Sequence, residues 1–481
     1  MAICRIRLAC VVSAALSPLL PAQATPVPAG PDPALLQVAA SYAAKVAASA
    51  VFVSGRTIES VLAEELAADG RIEAMIRPLL RFDVDAAERT VTCRILTASA
   101  TAVATAGLGC TLLLPGSDVA TLRTRRVEVP FDLRADTAFV EWPAGELGPD
   151  APPAAVDRDA LAQALEAAFA EPATGPAVRT RAVVVVDGGQ LVAERYAEGC
   201  TADMPLPGWS MSKTLVSVLC GIRAHQGELD LDAPPAVDAW RTADDARAGL
   251  RLPHLLTMTA GLAWNESYTD PTSDALRMLF GGTADHAAVY AAQPLAEAPG
   301  TQFRYSSGAT NLLCRLLRGT FADDAEYWAF PRTQLFAPLG MASAVLETDP
   351  SGTFVGSSYG FATARDWARF GLFLADDGRT PDGQRLLPEG WLQRSFTPAP
   401  ASRGRYGWQI WLNVDPDGDG PQQRAWPELP AELVHLDGHE GQYCVVVPSR
   451  RFVLVRLGCT KQGGFDVRAL VRDALLACRS D

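Results

Sequence analysis

The sequence predicts an α+β fold in which an antiparallel sheet, flanked by helices, is interrupted by a helical insertion and preceded by a separate N-terminal α+β domain. Two strand pairs and the stretch between them carry this expectation. Arg181–Val186 and Leu191–Tyr196 are apolar, β-branched runs around Gly188-Gly189, which is a hairpin signal. Tyr443–Val447 and Phe452–Leu457, joined through Pro448-Ser449-Arg450-Arg451, mirror it at the far end. Most of the intervening chain reads as helix or loop, so the sheet is assembled from both ends of one domain.

Taken in order, the chain opens with Arg5 and Arg7, an apolar stretch Leu8–Leu20 and Ala22-Gln23-Ala24, which has the small-x-small form of a signal-peptidase site. This predicts a signal peptide over 1–24 and export to the periplasm or the extracellular space. The apolar run is short for a bilayer and is broken by Pro18, so no stable membrane insertion is expected after its removal. From Ala34 to about Ala67 the chain is alanine-rich and helical, with a break at Ser54-Gly55, and strand-like runs follow at Val91–Leu96 and Thr111–Leu114. These make an N-terminal domain over 25–150. Proline and glycine crowd Pro143–Pro153 and Pro172–Pro176 around a short helix near Ala160–Ala170, marking a linker over 151–178. The main domain then occupies 179–481, in keeping with two cores for a chain of 481 residues.

A formal charge of −13 without a basic stripe excludes nucleic acid as a partner. Loss of the signal removes Cys4 and Cys10 and leaves an even set of cysteines in a compartment that permits disulfides. Cys93 and Cys110, in neighbouring strand-like stretches, are the expected pair. Cys200, Cys220, Cys314, Cys444, Cys459 and Cys478 form no Cys-x-x-Cys pattern, so no structural metal is expected, and several read as buried small hydrophobes. Asp415–Gly420 matches the opening of a calcium loop, yet Trp426 stands where the bidentate Glu belongs, which leaves a solvated acidic turn.

The cationic side chains are almost all arginine. Lysine occurs only at positions 45, 213 and 461, and Lys213 follows Ser210 by three residues in Gly208-Trp209-Ser210-Met211-Ser212-Lys213. Arginine keeps its proton in a protein, whereas a desolvated lysine can lose one and act as a base. Met211, Leu215, Val218, Leu219 and Ile222 recur at helical intervals and Gly227 supplies a stop, so Ser210 and Lys213 share one helix face. A helix N-terminus there favours a serine alkoxide and disfavours a charged lysine. Taken alone, the tetrapeptide also suits a capping serine with a solvated lysine, and the rest of the chain has to decide.

Tyr305-Ser306-Ser307 follows Pro299–Arg304, and Gly438-His439-Glu440-Gly441-Gln442 runs into the C-terminal hairpin. With Ser-x-x-Lys placed first, these pieces resemble the three motifs of the serine β-lactamase and penicillin-binding-protein superfamily, in which the second is commonly Tyr-x-Asn and the third Lys-Thr-Gly. Leu255–Leu262 and Gly356–Gly371 resemble further blocks of that family, so the likeness covers roughly residues 180 to 475 and leaves the first 150 outside. Tyr-Ser-Ser and His-Glu-Gly resemble the class C-like branch of 6-aminohexanoate-dimer hydrolases and family VIII-type esterases. The resemblance implies a β-lactamase/transpeptidase-like fold and a serine hydrolase acting on a small-molecule amide or ester, without cofactor. It implies Ser210 as nucleophile, Lys213 as base and Tyr305 as proton relay, with backbone N–H groups of Ser210 and Gln442 as oxyanion donors. His439, Gly441, Ser307 and Tyr268 would contact substrate, and Trp264 and Glu266 could line the same cleft. The alternatives are a D-alanyl carboxypeptidase or β-lactamase, disfavoured by the missing lysine that would meet a substrate carboxylate, and a non-catalytic binding or sensor module on this fold.

Overall fold

The computed structural model describes residues 32–69, 71–114, 116–127, 139–148, 156–242, 244–415, 417–461 and 464–478, so the expected signal peptide lies outside the described residues. From Pro33 onward the chain packs as one compact unit. The alanine-rich stretch forms α1 (Pro33–Phe52) and, after the break at Ser54-Gly55, α2 (Ile58–Ala63). An antiparallel meander follows: β1 (Arg81–Asp85), β2 (Thr90–Ile95), β3 (Ala98–Thr105) and β4 (Gly109–Leu113). Ala40, Ala43, Ala44, Ala47 and Ala48 make one face of α1, and their small side chains let the helix lie close on Val91, Cys93, Ala100 and Ala102. Among the described residues α1 is the helix long and apolar enough to cross a membrane, but here that apolar face fills a protein core.

The expected Cys93–Cys110 pairing is corrected. Both thiols are free and buried, as are most of the other described cysteines. Cys93 lies on β2 opposite Ala100, and Cys110 on β4 opposite Ala104, so β3 runs between them. Two strand spacings are about 9–10 Å, beyond the reach of a disulfide.

Helix α3 (Arg158–Phe169) leads into the main sheet through β5 (Thr180–Asp187) and β6 (Gln190–Tyr196). The middle of the chain supplies β7 (Leu206–Pro207), α4 (Ser212–His225), α5 (Asp274–Phe280), α6 (Ser307–Arg318), β8 (Val345–Leu346), β9 (Gly360–Ala362) and α7 (Ala364–Ala375). The chain then returns through β10 (Trp411–Leu412), β11 (Val434–Gly438), β12 (Gln442–Val447) and β13 (Phe452–Gly458), and ends in α8 (Val467–Ala477). The six strands stand in the order β10-β11-β12-β13-β5-β6, every neighbour antiparallel. The two hairpins join where Val455 of β13 faces Val184 of β5, so the chain closes its sheet from both ends, as predicted.

Period-2 alternation divides the sheet's side chains between two cores. Val184, Val186, Val446, Val453 and Val455 face the large core with α4, α6 and α7. Val183, Val185, Val445, Val447 and Leu454 face the other side, covered by Leu161 and Leu165 of α3 and by Leu470 and Val471 of α8. A sheet buried on both faces explains why these strands read as continuous apolar runs. The Asp415 carboxylate accepts the backbone N–H groups of Gly418 and Gly420, and so turns onto its own loop.

Buried ion pairs fasten the N-terminal layer to the rest, Glu65 with Arg181 of β5 and, most fully enclosed, Lys45 with Glu347. Lys45 is 3% exposed and Glu347, just after β8, is 0% exposed; the two form a salt bridge. Ser49 Oγ donates to Glu347 at 2.9 Å, and the Cys110 N–H donates to the same carboxylate at 2.7 Å. Removing one member strands a buried charge at a cost of about 3–5 kcal/mol, whereas replacing both with apolar groups does not. Lys45→Met or Glu347→Leu alone is therefore expected to lower unfolding free energy by that amount in urea titrations, and Lys45→Met/Glu347→Leu together to recover most of it.

Candidate active site

The Ser210 loop is set by backbone conformation and close packing. After β7, Gly208 is so near Trp367 that an added Cβ would lie 2.3 Å from its Cζ2. Trp209 then adopts φ 48°, a left-handed conformation that costs energy for a bulky residue and persists only where the surroundings impose it. Those surroundings are specific. The Gly208 N–H donates to Gly360 O at 2.8 Å, and Ser212 Oγ donates to Trp209 O at 2.7 Å while accepting the Gly360 N–H at 2.9 Å. A 3-10 turn over Trp209–Met211 passes directly into α4, whose Met211, Leu215, Val218, Leu219 and Ile222 are buried as the periodicity required. Gly227, at φ 80°, follows the helix end.

Lys213 is 1% exposed. Its Nζ donates to Ser210 Oγ at 2.9 Å, Ser307 Oγ at 3.1 Å and Ser357 O at 2.9 Å, all of them uncharged acceptors. Burial pulls its pKa down to about 8, a shift that the nearby Glu266 carboxylate partly opposes. Glu266 does not bond to the amine. It accepts the hydroxyl and the N–H of Ser307, the latter at 2.8 Å, together with the indole N–H of Trp264. Ser307 opens α6 behind its N-cap, Ser306, so a serine hydroxyl spans the gap between amine and carboxylate.

Tyr305 completes this cluster. Its phenol lies in the same cluster as Ser210, and burial pushes the phenol well above its ordinary range, which keeps it protonated. Lys213 Nζ lies 4.8 Å from the centre of the Tyr305 ring. Trp411 stacks on that ring at 5.4 Å and Tyr406 meets it edge-on at 5.8 Å, which fixes the plane of the phenol.

The β11–β12 turn closes the other side. Gly438 must be glycine, because a Cβ there would stand 2.2 Å from Gly208 O, and this contact brings the end of β11 against the Ser210 loop. His439, Glu440 and Gly441 form the turn, with Gly441 at φ 82°. His439 lies between Tyr268, stacked at 4.7 Å, and Trp209, edge-on at 5.3 Å, and burial lowers its pKa. Asp437, the residue before Gly438 on β11, has a carboxyl that burial raises to about 7.

The structure thus brings Ser210, Tyr268, Tyr305, His439 and Gly441 onto one cavity of 1330 Å³. Two expected substrate contacts differ. Ser307 is fully buried and meets Lys213 instead of the cavity. The Gln442 carboxamide is folded into the sheet, donating to the carbonyls of His439 and Gly458 and accepting the Gly458 N–H, so its side chain makes no substrate contact, while the backbone N–H expected as an oxyanion donor is a separate group. Sequence reasoning missed Asp437 and Trp411, which also line the cavity. Asp437 precedes a glycine at a strand end, the one local signal available, whereas nothing near Trp411 announces its partner.

A family model described as Beta-lactamase matches residues 164–478. The chain is 26% identical over 229 residues to a 6-aminohexanoate-dimer hydrolase of Paenarthrobacter ureafaciens, covering 44% of this chain and 56% of that relative, so the match spans little more than half its length. A penicillin-binding-protein homologue from Caulobacter crescentus superposes with a TM-score of 0.50 at 17% identity, over 69% of this chain and 99% of that one. SurE does so with a TM-score of 0.50 at 19% identity, over 67% and 76%. These structures share the fold.

The rarity of lysine makes the central feature measurable. Lysine-selective 13C NMR should give one signal each for Lys45, Lys213 and Lys461. The signal lost in Lys213→Arg is expected to titrate with a midpoint near 8. A midpoint at the ordinary lysine value would show that the amine is solvated.

Proposed function

The chain belongs to the beta-lactamase family, and from that premise we propose that it is an exported serine hydrolase that cleaves small amides or esters through an acyl-enzyme on Ser210. The observation that carries this reading is Lys213 Nζ at 2.9 Å from Ser210 Oγ, with burial holding the amine near pKa 8. A base matched to the working pH is the most efficient one. Neutral Lys213 takes the Ser210 proton as Oγ attacks the substrate carbonyl. The carbonyl electrons move onto oxygen, and the backbone N–H groups of Ser210 and Gln442 are the donors that meet the oxyanion, each worth about 3 kcal/mol.

Collapse of the intermediate expels the amine or alcohol. Tyr305, kept protonated by burial, donates to the leaving atom, and the proton that Lys213 took from Ser210 replaces the one Tyr305 gives up. Water then attacks the acyl-enzyme, losing its proton to the same pair, and the acid leaves. The curated relative is named for hydrolysing the dimer of 6-aminohexanoate, a linear amide, which supports an amide or ester over a strained ring.

The third motif lacks the lysine that a carboxypeptidase or β-lactamase would turn toward its substrate's carboxylate. Asp437 lines the cavity, and Lys461 on its wall is already paired with Glu440. Export rests on the Leu8–Leu20 segment and Ala22-Gln23-Ala24, and N-terminal sequencing of secreted protein is expected to begin near Thr25.

Intact-mass spectrometry with a fluorophosphonate, a p-nitrophenyl ester, a penicillin and a short linear amide tests the reaction. A covalent adduct is expected on the native chain and none on Ser210→Ala, and Ser210→Ala or Lys213→Ala should lower kcat by about 10⁴-fold or more. No adduct on a folded chain would turn the reading to a binding module. Since only the uncharged amine accepts a proton, kcat/KM is expected to rise with pH through a midpoint near 8, set by the lowered pKa of Lys213, and to level off above it. A profile flat from pH 6 to 9 would remove Lys213 as the base.

A further inference from the structure

The cavity that begins at Ser210 extends well past the reacting groups, and its far wall comes from residues that precede the family-matched segment. Helix α1 presents Leu35, Val38, Ala39 and Tyr42 to it. Their spacing of three, one and three residues places them on one face of the helix. All four are only partly buried, although apolar, because that face borders the cavity. Leu276 and Phe280 of α5 form the opposite side, and Tyr42 meets Phe280 edge-on at 5.2 Å, so the N-terminal layer and the hydrolase body close on each other there.

The charged groups along this wall are already engaged. Glu65 pairs with Arg181 at 2.7 Å, Asp69 with Arg179, and Glu440 with Lys461, while Arg77 Nε donates to Leu62 O at 3.1 Å. Of these groups the Arg77 guanidinium has a carbonyl and not a carboxylate as its partner, and beyond them lies the apolar stripe. The volume, 1330 Å³, exceeds the roughly 300–1,000 Å³ that encloses a drug-sized ligand.

We propose that the N-terminal layer is the specificity element of this hydrolase: the α1 stripe binds an uncharged apolar chain of the substrate next to the scissile bond. The proposal rests on the reading of Ser210 as the acyl-forming nucleophile. It gives residues 33–80 a role that the hydrolase segment cannot supply, since that segment alone leaves the cavity open on the α1 side.

Two substrate series test it on the full chain: p-nitrophenyl esters from acetate to octanoate, and acetate esters of alcohols from ethanol to octanol. In one series kcat/KM is expected to climb by up to about fourfold per methylene, and which series climbs tells whether the wall takes the acyl or the alcohol side. Ala39→Trp, which fills the cavity, and Val38→Asn, which makes its wall polar, should each lower the ratio of the longest to the shortest ester about tenfold or more. Flat series, or ratios unchanged in both variants, would overturn the proposal. Binding to Ser210→Ala of N-octylacetamide where the alcohol series climbs, or of N-ethyloctanamide where the acyl series climbs, followed by calorimetry, reads the wall without the chemistry. It is expected to exceed that of N-ethylacetamide and to weaken with Val38→Asn, and equal affinities would likewise overturn the proposal. If no ester turned over and no fluorophosphonate adduct formed, the acyl-enzyme reading would fail by itself.

Discussion

A lysine amine enclosed by uncharged acceptors is the constraint around which this molecule is arranged. Lys213 is cut off from water and touches two hydroxyls and a carbonyl, each of which stabilises an ammonium less than a carboxylate would. Glu266 stands one hydroxyl further away. Direct contact would hold the amine charged and useless as a base, while removal of the carboxylate would leave burial unopposed. Ser307, interposed between them, sets an intermediate balance. The same hydroxyl accepts from the lysine and donates to the glutamate, so the cluster has a direction as well as a charge.

Holding that amine in place demands close backbone packing more than side-chain bonding. The Ser210 loop rests against Trp367 on one side and against the end of β11 on the other, with no room for a Cβ at Gly208 or Gly438. Trp209 accepts a left-handed backbone as a consequence. Strain beside Ser210 is tolerated where the surrounding structure over-determines it, and here a β7–β9 ladder, the α4 core face and the β11 contact all do so. The six-stranded sheet supplies the rigidity behind them, since both of its faces are buried.

The N-terminal layer extends the same reasoning beyond the catalytic segment. It has its own alanine-lined core, yet it is tied to the hydrolase body by a desolvated ion pair and shares a wall of the substrate cavity. A buried pair such as Lys45–Glu347 is weak evidence for stability in itself but is costly to mismatch, and that fits a contact that fixes registry between two layers. Two of the chain's three lysines are thus buried in specific surroundings, one beside a carboxylate and one kept apart from it. Their different chemistry follows from that placement.

Sequence alone determined what depends on short-range pattern. Apolar β-branched runs around turns at both ends announced the antiparallel sheet, helical spacing after Ser210 announced α4, and the order of Ser-x-x-Lys, Tyr305 and the Gly438–Gln442 segment announced the family. The tertiary structure decided what depends on neighbours distant in the chain. Ser307 lies 94 residues from Lys213, and only the packing of α6 on α4 turned it from a substrate contact into a link to Glu266. Cys93 and Cys110 looked adjacent until β3 ran between them. Leu35, Val38, Ala39 and Tyr42 carried no sign of a cavity, because an apolar helix face reads the same whether it meets a core or a ligand. Local propensity and motif order are written in adjacent residues, whereas burial, charge spacing and the walls of a cleft arise only when separate elements share a volume.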